Sequence, residues 1–215
     1  MIARNRAAAE GRRRRSLCAI RSTQPRVINR RLISTMPIAR PRLLGPEVFD
    51  RPADRVAREL LGQWLVVRGE GGSQSRQMIF ETEAYLGAHD LACHRSRGLT
   101  PRNAAMFGPA GHSYLYLCYG LHWMLHIVTG HEGIPAAVLV RGAGRLCGPG
   151  RLTKGLGLNG VLNDLPAVRK SGLWLEDSGS AIPCHRIKRT PRIGVESAGE
   201  WAKKPLRFVI DPALH

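Results

Sequence analysis

The sequence predicts an α+β fold: a single domain with a curved antiparallel β-sheet, short flanking helices and a protruding β-hairpin. Three observations carry this. Several short runs alternate apolar and polar residues and pair across Gly-containing turns. Helical patterns are few and do not alternate one-for-one with the strands, which argues against a βαβ order. Three of the four tyrosines, with Trp123, crowd into ten residues of one paired run.

Taken in chain order, the folded part begins near "LLGPEVFDRPADRVARELLG". Asp50 can cap a helix there, Pro52 suits its first turn, Val56, Leu60 and Leu61 share one face, and Gly62 ends it. "QWLVVRGEGGSQSRQMIFETEAYLG" reads as strand, Gly/Ser turn and strand, a hairpin. "LTPRNAAMFG" reads as a short helix with Thr100 as cap and Pro101 first. "HSYLYLCYGLHWMLHIVTG" is a second hairpin with its tip at Tyr119-Gly120, "AAVLVRG" a buried strand, and "GPGRLTKGLGLN" a Gly-punctuated helix. "PLRFVI" is a final strand after a basic turn containing proline. No internal repeat is visible.

At 215 residues and 43% hydrophobic, the chain is long enough to bury a sizeable core as one domain. Its formal charge of +17 is unevenly spread. Residues 1–42 carry twelve arginines against one acid, Glu10, so +11 sits in this tail and +6 in residues 43–215. A moderately basic body fits a polyanionic partner. The tail lacks apolar periodicity and reads as disordered. It has three readings: a nucleic-acid-gripping arm, an Arg-rich targeting segment, or sequence upstream of a start at Met36. No apolar stretch approaches the roughly 18 residues of a membrane span. The five cysteines form no C-x-x-C pair, which argues for a reducing compartment and against a zinc knuckle or disulfide framework.

The stretch "ETEAYLGAHDLACHRS" gathers the first candidates for chemistry. Strand period puts Ile79, Glu81, Glu83 and Tyr85 on one face. Two ionised carboxylates on one buried face repel, so one should occupy a wet or functional spot, with its pKa raised. The alternative is that both lie on a solvated sheet face. His122 and His126 have a metal-ligand spacing only on a helix. On a strand they share a face but stand too far apart for joint ligation, and no H-E-x-x-H accompanies them. No metal is expected. Tyr119, beside a glycine at a hairpin tip, suits a wedge into a base stack or a ring folded back on the sheet. Tyrosines on alternate positions can sandwich a planar base.

Together "ETEAYLG…H", "TPRNAAMFGPAGHSYLYLCYG" and "RIGVESAGEWAKKPLRF" resemble the alkyladenine DNA glycosylase family, also called the methylpurine or 3-methyladenine DNA glycosylases. The likeness spans roughly residues 43–215. It implies a monofunctional enzyme of base excision repair that binds double-stranded DNA containing damaged purines. Such an enzyme flips the base out and hydrolyses its N-glycosidic bond with a glutamate-activated water and no cofactor. By this resemblance Glu83 is the general base, Arg141 lies beside the water and phosphate, and the Ile193 carbonyl helps hold the water. Tyr85 and Tyr116 resemble the stacking walls, and His94 the residue that contacts the flipped base. Tyr119 resembles the intercalating wedge, while Met106, Leu121 and His122 match positions lining the minor groove. His126 stands where family members usually carry an asparagine near the purine edge, so it bears on lesion choice. A monomer in a bacterial cytoplasm or nucleoid is expected.

Chemistry agrees with these assignments. An alkylated purine is electron-poor or cationic, attracts tyrosine faces and leaves readily, so a base acting on water is the main requirement. No lysine lies within 81–126, which favours direct hydrolysis over a Schiff-base lyase. A DNA-binding protein of the same fold with lost or altered catalysis is the competing reading, and a metal-dependent hydrolase comes third.

Overall fold

A computed structural model describes residues 41–93 and 98–210. The expectations for the basic tail, including Met36, and for His94 fall outside the described residues. Packing is under way where the first apolar run begins: Leu43 bridges to Glu176, and the Asp177 N–H donates to the Arg42 carbonyl at 2.8 Å.

The helix predicted after Asp50 is α2 (Ala53–Glu59), and a further short helix not predicted, α1 (Pro46–Phe49), precedes it. Pro52 keeps the two apart, because a proline forces the residue before it out of the α region. Asp50 therefore ends α1 instead of capping α2, and its carboxylate lies 3.1 Å from His131 Nδ1. Gly62 closes the segment as predicted, at φ 82°, with its N–H on the Ile79 carbonyl.

The first hairpin is β1 (Trp64–Arg68) and β2 (Gln74–Tyr85). The predicted short helix is a 3₁₀ helix over Ala104–Phe107, and its N-cap is Asn103 instead of Thr100. Asn103 supplies the local bonds instead: its Oδ1 accepts the Thr100 N–H at 2.7 Å and its Nδ2 donates to Gly98 O at 2.9 Å. The second hairpin is β3 (His112–Cys118) and β4 (His122–Thr129), followed by the fully buried β5 (Ala136–Ala143). Then come β6 (Leu146–Cys147), α3 (Pro149–Gly155), β7 (Leu165–Pro166), β8 (Leu173–Glu176) and β9 (Ile187–Thr190). Helix α4 (Glu200–Lys203) and β10 (Arg207–Ile210) complete the order. Strands β6 to β9 have no counterpart in the sequence reading.

The strands form one antiparallel sheet in the order β7-β3-β4-β5-β2-β1-β8, with β6 on β5 and β10 joining β2 to β9. It is strongly curled. Strand β2 is the reason: residues 74–78 pair with β1, whereas 81–83 pair with β10. Where the partner changes, the β2–β5 register slips twice, once between Ile79 and Glu81 and again between Glu81 and Thr82. Such bulges bend a strand and re-aim its side chains.

These slips overturn one prediction. Ile79 does not share a face with Glu81. It enters the core beneath α1 and α2 with Phe49, Val56, Leu60, Val138 and Val140. The opposite face carries a second cluster that includes Tyr85, Met106, Tyr114, Leu139 and Val195. The candidate site opens on this second face.

Candidate active site

Alternation along β3, β4 and β5 delivers the site residues together. Leu115, Leu125, Val138 and Val140 point to the helices, so Tyr114, Tyr116, His126, Leu139 and Arg141 point the other way. Tyr116, His126, Leu139 and Arg141 line a cavity of about 580 Å³ whose wall also includes Tyr85, Ile193 and Tyr119, while Tyr114 packs behind it in the second cluster. His126 is buried, 5.1 Å from the Tyr114 ring and 6.0 Å from the Tyr85 ring by centroids. Its Nδ1 lies 3.3 Å from the Tyr114 carbonyl, which can only accept, so that nitrogen carries the hydrogen.

Glu83 lies one layer beneath the wall, fully buried. Oε1 accepts the Ile193 N–H at 2.9 Å and stands 3.4 Å from Arg141 Nη1; Oε2 accepts the Tyr85 hydroxyl at 3.1 Å. All three partners line the cavity. Burial raises the Glu83 carboxyl above its ordinary 4.5, opposed by the charge of Arg141, the Ile193 and Tyr85 hydrogen bonds and Arg192. Burial and the charge of Glu83 push the Tyr85 hydroxyl well up, which keeps it a donor.

Glu81 is buried too, so neither carboxylate sits at a wet spot and neither is on a solvated face. The repulsion argued from strand period is met by two guanidiniums. Arg141 Nε donates to Glu81 Oε1 at 2.9 Å, and Arg207 Nε to the same oxygen at 2.7 Å. Arg141 falls at the second register slip, opposite no residue of β2, and so reaches both acids.

Two further arrangements escaped the sequence reading. Asp90 and Arg192 form a wholly buried bidentate pair, at 2.5 and 2.8 Å, 102 positions apart. Arg192 also donates to the Ala84 carbonyl and lies 4.8 Å over the Tyr85 ring. Asp90 in turn accepts the Leu86 and Ala92 N–H groups. One ion pair thus ties the loop after β2 to the segment presenting Ile193. Arg102 lies 4.4 Å over the Tyr116 ring and donates to the Leu117 carbonyl.

The remaining predicted residues fall as follows. Tyr119 stands at the hairpin tip, 90% exposed, with φ 51°, and Leu121 beside it is 75% exposed. His122 is exposed on the same hairpin. Met106 is 1% exposed within the second cluster, its Sδ 3.8 Å from Cys93 Sγ, so it is not presented at the surface. For Ile193 the described contact is its N–H on Glu83, and its side chain is half exposed. His89 packs edge-on against Trp201. Among the described residues no three of His, Cys, Asp and Glu lie close enough to hold a metal ion.

A tyrosine-walled cavity over a buried carboxylate, beside an exposed aromatic tip on a basic chain, is the equipment of a DNA glycosylase, a hydrolase of DNA repair. The chain belongs to the methylpurine-DNA glycosylase family, whose model matches residues 47–147 and 144–213. A protein of Myxococcus xanthus named "Putative 3-methyladenine DNA glycosylase" is 47% identical over 184 residues, covering 79% of this chain and 91% of its own length. Proteins of the same name are 42% identical in Legionella pneumophila (79% of this chain, 94% of theirs) and 39% identical in Methanocella arvoryzae (77% and 91%).

Proposed function

We propose that the enzyme is monofunctional and acts on alkylated or deaminated purines in duplex DNA, of the 3-methyladenine, 7-methylguanine, hypoxanthine and ethenoadenine class. Tyr119 wedges into the stack with Leu121 and His122 along the minor groove, and the damaged base swings into the cavity between Tyr85 and Tyr116. His94 and His126 meet its edge. Glu83 takes a proton from water as that water attacks C1′, the C1′–N bond breaks, and the base departs with the bond's electron pair. The carboxylate also stabilises the developing oxocarbenium charge. Arg141 lies beside the water and the phosphate.

The observation that carries this reading is the Glu83 environment. Its carboxyl is held by three groups of the cavity wall, and burial raises its pKa toward the range useful for a base at neutral pH. Duplexes carrying single hypoxanthine, ethenoadenine or 3-methyladenine lesions should release free base and leave an intact abasic strand, in EDTA as well. Glu83→Gln should abolish release while retaining lesion binding. Undiminished release by that variant, or strand nicking as the first product, would overturn the mechanism. Release by wild type on none of the lesions, with binding intact, would instead indicate lost catalysis. The same panel with His126→Asn should show a changed order of lesion preference.

A further inference from the structure

Of the two carboxylates on β2, only Glu83 has a role so far, yet Glu81 is nearly as buried and shares its arginine. Arg141 is anchored through Nε to Glu81 at 2.9 Å, while its Nη1 stays 3.4 Å from Glu83. The shorter contact belongs to Glu81, the acid with no role so far. Arg207 Nε binds that same Glu81 oxygen at 2.7 Å and its Nη1 lies 3.1 Å from Thr190 Oγ1, so Glu81 is itself shared between two cations. Backbone pairing opposes Arg207 to Glu83 on one edge of β2, and on the other edge the register slip leaves Arg141 opposite no residue of β2. Two acids and two guanidiniums are held by adjoining strands around one point.

We infer that Glu81 is a positioning residue: it competes with Glu83 for Arg141, under a restraint set by Arg207, and so leaves the Glu83 carboxylate available to water. An arginine free to swing fully onto Glu83 forms a tight bidentate pair, which stabilises the carboxylate and makes it a poorer base. The other groups facing Glu83 are the Tyr85 hydroxyl, the Ile193 N–H and Arg192, with His126 behind Tyr85. None of them contacts Glu81 among the described hydrogen bonds. This inference rests on Glu83 being the general base.

Single-turnover base release should be followed against pH on the lesion duplex that wild type cleaves fastest. Glu81→Gln is expected to lower the maximal rate by at least about tenfold, to leave lesion-duplex Kd within about threefold, and to move the acid limb to lower pH. Arg207→Gln removes the opposing cation and should move the limb to higher pH. Glu81→Asp should restore the limb toward wild type. Limbs unmoved in both variants, or moved the same way, overturn the proposal, because a merely structural role predicts no opposed shifts. If Glu81→Gln does not fold, Arg207→Gln decides: an upward limb supports it and an unmoved limb overturns it. Glu83→Gln run alongside separates the two levels, since activity in that variant removes the base assignment whatever Glu81 does.

Discussion

Glu83 sets function against stability at one atom pair. Its carboxyl binds a proton more tightly in the folded chain than in the unfolded one, so ionisation above the raised value destabilises the fold. Below the ordinary 4.5 both states are protonated and the difference vanishes. Glu83→Gln should therefore raise the melting temperature at neutral pH, with the gain shrinking to nothing as pH falls through 4.5. Thermal scans from pH 4 to 8 read this directly, and equal melting temperatures throughout would contradict it. The amide can keep the geometry, with Oε1 accepting from Ile193 and Nε2 donating to the Tyr85 oxygen. At this scale the sequence disclosed part of the site. Glu83 and Tyr85 follow from strand period and motif. The pairing of Asp90 with Arg192 gave no signal, because it spans 102 positions and links two separate motifs.

Among the elements, the β3–β4 hairpin carries the proposed wedge. Tyr119 takes φ 51° and Gly120 φ 69°, a left-handed tip that strains a tyrosine and buries almost none of it. Truncating that ring should therefore leave the fold alone. Tyr119→Ala is expected to change stability by less than about 0.5 kcal/mol. The same variant should reduce base release from duplex DNA by tenfold or more, a loss of roughly 1.4 kcal/mol of transition-state stabilisation. Comparable losses on duplex and on single-stranded lesions would speak against a wedge. Both hairpins were legible because period-two alternation and Gly-bearing turns are local signals. The short helix before Asp50 was missed, although Pro46 at its start and Pro52 beyond it bracket it. The bulged join of β2 and β5 was not legible, since register is decided by partners far along the chain. Gly142 marks it only in retrospect: a Cβ there would run into the Phe80 ring.

For the molecule as a whole, charge is the governing quantity. Of the +17 total, the first 42 residues hold +11, and ten of their twelve arginines precede Met36. A chain starting at Met36 should bind DNA with a visibly shallower dependence of log K on log salt, since each phosphate contact contributes about 0.9 to that slope. Its single-turnover rate at saturating enzyme should not change, because every group assigned to the chemistry lies beyond residue 80. Equal salt slopes would show that those arginines do not grip phosphate. The fold class was readable at this scale from hairpins and sparse helices, whereas the sheet's curl was not, because it arises where β2 exchanges one partner for another. The order of the chain adds a temporal side to that exchange. The contacts that complete the site reach back from Arg192, Ile193 and Arg207 across 102, 110 and 126 positions. During synthesis the ribosome delivers Tyr85, Tyr116 and the β3–β4 hairpin long before these last segments emerge. On the proposed mechanism, a nascent or prematurely ended chain would present aromatic residues without the contacts that seat Glu83, and base release would await the final strand.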